Sequence, residues 1–520
     1  MSDVSAPPAP MTHRQILEAL SGLLLAMFVA MISSTVVTNA LPRIVTDLEG
    51  SQTGYTWVVV ATLLAMTATT PVWGKLADLF SKKLLVQLAL SIYLAGSLVA
   101  ALAPNMEVLI GARVLQGLGV GGLMALVQIV IASMVSPRDL GKYSGYMGAV
   151  FAAATVTGPL IGGLVADSPL GWRGCFFIGL PFGIVAFILL QKTLHLPVIK
   201  REARIDYLGS ALIIGGVSLL LVWVSLAGKQ FDWVSATSAL VLGGALLLLA
   251  AATYVEARVA AEPVVPLRLF RDRTITLATL ASVFVGVSMF ASTVYLSQYF
   301  QLARGMSPTE AGLMSIAMVG GLLVSSIVSG RMISNSGKWK IWLIVSMILV
   351  LAGCVLLGTI DERTNLVLVG VYMAVLGTGV GASMQNLVLP VQNVAAPADL
   401  GAASSVVAFF RSLGGTIGVS ALGAVLSPQV TAKVTEGLTA LGVAPTGGQS
   451  AGIPDLATLP APIRAVFEHA FGASIAELFL VSAPFAALGL LCVVFIKEIP
   501  LRTAVHAVPE TPAAVKVASS

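Results

Sequence analysis

The sequence predicts an all-α polytopic membrane protein of fourteen transmembrane helices, two six-helix halves with two further helices inserted centrally. Composition is the first of three observations behind this. Of 520 residues, 57% are hydrophobic and 10% charged, and mean hydropathy is +0.95. A soluble domain carries about 25% charged residues. One water-soluble core stops growing at about 250–300 residues, so this much apolar surface belongs in a bilayer. The second observation is the spacing of apolar runs. A span needs about 20 apolar residues, and such runs lie at 16–40, 54–73, 84–103, 108–134, 143–165, 174–194, 208–227, 236–255, 275–299, 311–330, 340–359, 366–390, 401–426 and 475–496.

The third observation is the placement of Lys and Arg, which sets orientation. Only Arg43, Arg173, Lys229, Arg304, Arg363, Lys433 and Arg464 fall on one set of loops, and Arg113 and Arg411 fall inside spans. All the rest of the 29 lie on the face that an even span count gives to both termini. That face is expected to be cytoplasmic, in a cell membrane. The net charge of +5 is modest for a nucleic-acid binder. The first fifteen residues are polar and the first apolar run is long enough to span, so helix one is expected there and not a removed signal peptide. Trp73, Trp172, Trp233 and Trp339 sit at run ends and are expected as interfacial anchors. Cys175, Cys354 and Cys492 fall inside apolar runs and are expected as reduced thiols.

A weak internal repeat suggests duplication. Gly74 and Gly330 each open a Gly- and Lys-containing turn, and Gly158 and Gly162 recur as Gly414 and Gly418, at one offset. The expected organisation is an N-terminal tail (1–15), a first half (16–194), an inserted pair with flanking loops (195–273), a second half (274–496) and a tail (497–520). The second half includes an extracytoplasmic loop, 427–474, in which APIRAVFEHAF reads as a short amphipathic surface helix.

Three motifs carry chemistry. GKLADLFSKKLL (Gly74–Leu85) lies in the turn after the second run. Gly74, Asp78, Lys82 and Lys83 there can lock adjacent helices through charge-assisted contacts, or serve as plain positive-inside anchors. ARVLQGLGVGG (Ala112–Gly122) sets Arg113 and Gln116 on one helix face, ahead of glycines that admit a neighbouring helix. An intramembrane arginine costs about 2.5–3.5 kcal/mol on insertion scales, which marks a functional residue unless it snorkels. TGPLIGGLVAD (Thr157–Asp167) offers Gly158, Pro159, Gly162 and Gly163 as a hinge or as ordinary close packing. There is no GxxxxGK[ST] phosphate loop, no HExxH and no GxSxG, so the residues support no enzyme, cofactor or metal site. Work must draw on an ion gradient or on the substrate's own gradient.

Together these motifs resemble the signatures of the major facilitator superfamily, and fourteen spans resemble its 14-helix drug:proton antiporter branch. WRGCFFIGLPFG (Trp172–Gly183), IDYLG (Ile205–Gly209), YLSQYFQLARGMSPTEAG (Tyr295–Gly312) and FFRSLGGTIG (Phe409–Gly418) extend the resemblance over roughly residues 15–497. It implies proton-coupled efflux of small amphiphilic compounds by alternating access. The chain departs from the family pattern at Leu79 and Ser81 in the first turn. It departs again at Ser33, where the resemblance calls for an aspartate.

That last departure bears on MISSTVVTNALP (Met31–Pro42). Ser34, Thr35, Thr38 and Asn39 share one helical face, which either bonds to neighbouring helices or lines a water-filled path. With Arg113, Gln116, Gln385, Asn386 and Arg411 they form the expected substrate path. Ser33 carries no charge, so the membrane interior holds two cations, Arg113 and Arg411, and no evident acid. Neutral, zwitterionic or acidic amphiphiles are therefore expected over quaternary cations. Asp78, Glu310 and Glu477 remain as candidate proton carriers. The other reading is a uniporter or importer of a polar metabolite with weak or no proton coupling.

Overall fold

Glycine spacing decides which helices touch, because lipid offers no hydrophobic drive for helix association and close approach needs small residues. A computed structural model describes residues 13–49, 52–166, 168–196, 206–228, 230–260, 262–443 and 459–502. Helix α1 spans His13–Asp47, α2 Gln52–Leu79, α3 Lys82–Ala101, α4 Met106–Met134, α5 Leu140–Ala166, α6 Gly171–Phe177 and α7 Gly179–Thr193. Then follow α8 (Tyr207–Leu226), α9 (Ala236–Arg258), α10 (Arg273–Gln298), α11 (Pro308–Met314), α12 (Ile316–Ser336), α13 (Lys340–Leu357), α14 (Leu366–Met384), α15 (Val388–Val394), α16 (Leu400–Ala440) and α17 (Ala461–Phe495). Among the described residues 12 helices are long and apolar enough to cross a membrane, and no strand forms beyond one isolated bridge, Ala227 to Phe231.

The pairing of helices repeats. In the first set α4 packs on α2 and α3, while α1 packs on α5 and α7. In the second set α14 packs on α12 and α13, while α10 packs on α16 and α17. Glycines make both possible at matching places. A Cβ on Gly117 or Gly121 would lie 2.5 or 2.6 Å from the carbonyls of Thr62 or Met66 on α2. Gly119, on the opposite face of α4, meets Ala89 and Tyr93 of α3. In the second set Gly377 and Gly381 meet Met318 and Leu322 of α12, and Gly379 meets Ser346 and Val350 of α13. Gly162 of α5 touches Val36 of α1, as Gly414 and Gly418 of α16 touch Val283 and Val287 of α10.

Two seams join the sets. Helix α2 packs on α16, and α5 packs on α12. Both are tight at the end of the bundle that carries the loops around 80, 136, 338 and 397, here termed the basic face. There Gly74 abuts Gly401 and Ser405, and Gly145 and Gly148 abut Ile327 and Ser326. The described chain ends lie on this face as well. His13 Nδ1 is 2.9 Å from the Tyr143 hydroxyl, and the Arg138 N–H donates to Arg502 O.

The structure departs from several sequence expectations. Three tryptophans do not leave the indole N–H in water as the sequence suggests they would, but donate it to distant protein acceptors. Trp73 donates to Leu118 O at 3.0 Å, Trp172 to Asp47 Oδ2 at 2.9 Å and Trp339 to Ile499 O at 2.9 Å. APIRAVFEHAF is not a separate surface helix but the opening turns of α17, and α16 runs on to Ala440. At 1.5 Å per residue α16 is on the order of 60 Å long, about twice the hydrocarbon thickness. Cys175, Cys354 and Cys492 are free, the first two buried.

The glycine packing gives a direct test. Gly121→Ala forces its new methyl against the α2 backbone, and overpacking of this kind costs about 1–3 kcal/mol. Gly320→Ala, with nothing within 4 Å, should be neutral or stabilising by up to about 1 kcal/mol through helix propensity. Thermal unfolding of both variants in one lipid or detergent would show a lower midpoint for the first alone.

Candidate functional site

Arg113 sits inside the first helix set, where α1, α2, α3 and α4 meet. Its exposure is 4%, so every polar atom needs a protein partner. Nε donates to the Val58 carbonyl of α2 at 3.1 Å, and Nη1 donates to Gln116 Oε1 at 2.8 Å. The Gln116 amide then donates to Ser97 Oγ of α3 at 2.8 Å and stands 3.5 Å from Ser33 Oγ of α1. Thr62 of α2 closes the cluster by donating to the Arg113 carbonyl at 3.2 Å. Tyr93 is fully buried alongside and donates to Val29 O at 3.3 Å. The three-residue spacing of Arg113 and Gln116, legible in the sequence, is what lets one side chain orient the other. Ser97, Tyr93, Thr62 and the Val58 carbonyl carry no sequence signal, because they come from other helices.

Arg411 is placed differently. It is 6% exposed on α16, and its Nη1 donates to Met384 O at 2.9 Å. That carbonyl ends α14, where helical carbonyls lack intrahelical partners and the dipole favours a cation. Asn386 follows in the break before α15. Its Nδ2 donates to Ser329 Oγ at 2.9 Å, while Oδ1 has no partner among the described residues. Gln385 faces a small cavity with Gln128 of α4 and Gln392 of α15, so that cavity lies between the two helix sets. Among the described residues no carboxylate pairs with Arg113 or Arg411. The side chains of Ser34, Thr35, Thr38 and Asn39 lie outside the described residues.

At the basic face Asp78 does what the sequence did not specify. Its two carboxylate oxygens accept the N–H groups of Gly401 at 2.7 Å and Ala402 at 2.9 Å. Helix α16 has Asp399 at its own N-cap, yet that side chain makes no capping bond. Asp78 of α2 therefore supplies the cap from across the seam, where the helix dipole is positive. Lys83 instead donates to Gln191 O of α7 at 2.7 Å, tying α3 within its own set; Lys82 is half-buried beside Asp78. Gly158 is buried on α5 and Gly162 touches α1, whereas the side-chain surroundings of Pro159 and Gly163 lie outside the described residues.

The remaining acids are engaged elsewhere. Glu310 completes a capping box with Ser307 at the start of α11. Glu477 pairs with Lys433 at 2.7 Å between α17 and α16. Both lie at the end opposite the basic face.

Removing Gln116 tests the network. Gln116→Leu leaves Arg113 Nη1 and the Ser97 hydroxyl without their partner, at a cost of about 1–3 kcal/mol. Gln116→Glu keeps an acceptor for the guanidinium and should cost less. Unfolding midpoints of the two variants, measured together, would separate a hydrogen-bonded network from simple packing.

Comparison with known proteins places this geometry in a family. The family model for the Major Facilitator Superfamily matches residues 23–419. The efflux pump dotC of Dothistroma septosporum is 35% identical over 501 residues, covering 95% of this chain and 85% of that one. The multidrug transporter protein MdtP of Bacillus subtilis is 34% identical over 419 residues, covering 81% of this chain and 77% of its own length. Among solved structures, the human organic anion transporter MFSD10 (TETRAN) superposes with a TM-score of 0.57 at 14% identity. It covers 92% of this chain and all of that one, a likeness of fold. The mirrored helix pairing, the buried Arg113–Gln116 pair and these matches agree: the chain belongs to the major facilitator superfamily of membrane transporters.

Proposed function

We propose that the chain exports small amphiphilic compounds in exchange for protons by alternating access. The observation that carries this reading is the cap that Asp78 of α2 places on α16. It is one bonded junction, at one face, between two helix sets that otherwise repeat each other. Breaking it lets the sets part on that side. In this reading residues 16–194 and 274–496 are the moving halves, 195–273 is an inserted pair, and α2 and α5 join the other 12 helices to make fourteen spans. The excess of Lys and Arg on the basic face supports a cytoplasmic location for both termini in a cell membrane. Efflux is favoured by the relatives, two of which are named as an efflux pump and a multidrug transporter.

The substrate path in this reading runs past Arg113, Gln116, Gln385, Asn386 and Arg411, and helical periodicity adds Ser34, Thr35, Thr38 and Asn39 of α1 to it. Arg113 and Arg411, with no carboxylate paired to either among the described residues, favour neutral, zwitterionic or acidic amphiphiles, because an organic cation brought there would meet like charge in a low dielectric. Asp78, Glu310 and Glu477 remain the candidate proton carriers, each held by a cap or an ion pair, and Asp78 is favoured because its bonds cross the seam between the helix sets. Ser33 supports a second reading, transport without proton coupling. Ser33, 3.5 Å from the Gln116 amide, has no carboxyl group to take up and release a proton near neutral pH.

Purified protein in proteoliposomes with an imposed pH gradient separates the readings. Substrate-dependent proton flux, larger for neutral and acidic compounds than for a dication, is the expected result. Ser33→Asp should add an acid beside Gln116 and shift preference towards the dication by about tenfold, one buried charge contact. Substrate movement indifferent to the gradient would favour the uncoupled reading, and strong dication preference in the unmodified protein would refute the substrate class.

A further inference from the structure

The pair α8–α9 has no counterpart in the mirrored pairing, yet it occupies a specific place. Helix α8 packs on α2 and on α16 at once, so it straddles a seam between the helix sets. One apolar cluster joins Leu64 and Ala68 of α2, Val217 of α8, Ala252 of α9, Val264 of the following linker and Phe409 of α16.

The linker from α9 to α10 then turns back along the basic face. Glu256, 7% exposed near the end of α9, accepts the N–H groups of Val264 at 3.1 Å and Val265 at 3.2 Å. This fixes the turn and sets the two flanking charges. Glu262 Oε2 is 2.6 Å from Lys75 Nζ, and Lys75 is 4% exposed on α2. Arg268 Nη2 is 2.8 Å from Oδ1 of Asp399, the residue that opens α16. Phe270 meets Phe410 of α16 edge to face, with centroids 6.1 Å apart. One linker thus grips, by opposite charges, the same two helices that Asp78 holds together.

We propose that the linker segment 262–272 is a latch on the basic-face seam, with Lys75–Glu262 and Arg268–Asp399 as its positioning pairs. It rests on the alternating-access reading above. Helices α2 and α16 separate when that face opens, and a linker gripped at both cannot follow both. One ion pair must break, and breaking the Lys75 side leaves a buried cation without its partner. The inserted pair therefore sets how often the chain opens on that face. It also explains why Asp399 leaves its own helix uncapped: its carboxylate is held by Arg268, and Asp78 takes over the cap.

The test is hydrogen–deuterium exchange on the full chain in lipid nanodiscs, read at residues 72–79 and 400–408, with and without substrate. Glu262→Gln combined with Arg268→Gln should raise exchange at both segments by about tenfold. Lys75→Glu should do the same alone, and Lys75→Glu with Glu262→Lys should return to within about twofold of the unmodified protein. A merely structural role would raise exchange without reciprocal rescue. Transport assays on the same variants should show altered maximal rate with substrate affinity less affected, because the latch touches no substrate. Exchange unchanged in the double glutamine variant, or no rescue by the reciprocal swap, overturns the latch. If the unmodified protein shows no substrate-dependent change at these segments, the alternating-access reading fails first, and the latch with it.

Discussion

Lipid tails are as apolar as leucine, so helices in a bilayer gain little by hiding apolar surface from them and are held by close packing and interhelical hydrogen bonds. Everything in this chain follows from how it meets that constraint. Glycines at alternate positions of α4 let α2 approach one face and α3 the other, and α14 repeats the device against α12 and α13. Each set is thereby closely packed within itself. The seams between the sets are closely packed too, and near the basic face they use the same small residues. Movement of one set against the other would have to part those seams.

The polar groups are distributed accordingly. Inside the first set, Arg113, Gln116, Ser97 and Thr62 satisfy one another and a backbone carbonyl, so a charge that would otherwise be prohibitive is held without an acid. A network of this kind cross-links three helices and fixes their register. In the second set Arg411 is held by the end of a helix instead. The helix break at 385–387 that frees this carbonyl also presents Gln385 to the cavity between the sets. The two arginines thus differ in what holds them although both are buried.

At the basic face the bonds are of another type, charges meeting helix termini and each other across a seam. Asp78 and Asp399 divide the work at the start of α16, one capping the helix and the other pairing with the linker. Such contacts are individually modest where exposed and stronger where buried. That range suits a junction that opens and closes in the alternating-access reading.

By itself the sequence determined the solvent, the positions of the helices and the chemistry at stake. Apolar runs near 20 residues mark spans because the bilayer has a fixed thickness, and a local pattern such as Arg113 with Gln116 is legible because residues three apart share a helix face. Ser33 was legible as a missing charge only through the family resemblance, which calls for an aspartate there. Only tertiary structure decided the partners. Asp78 reads in sequence as part of a basic turn, and nothing local says that its carboxylate meets N–H groups more than 300 residues away. Lys75, Glu262, Arg268 and Asp399 read as ordinary loop charges until the linker brings them to one place. Trp73, Trp172 and Trp339 read as interfacial because they end apolar runs, yet each finds a distant acceptor and turns inward. Helix formation is set by neighbours in the chain, whereas ion pairs, caps and buried donors are set by which helices pack together, and that information is spread over the whole sequence.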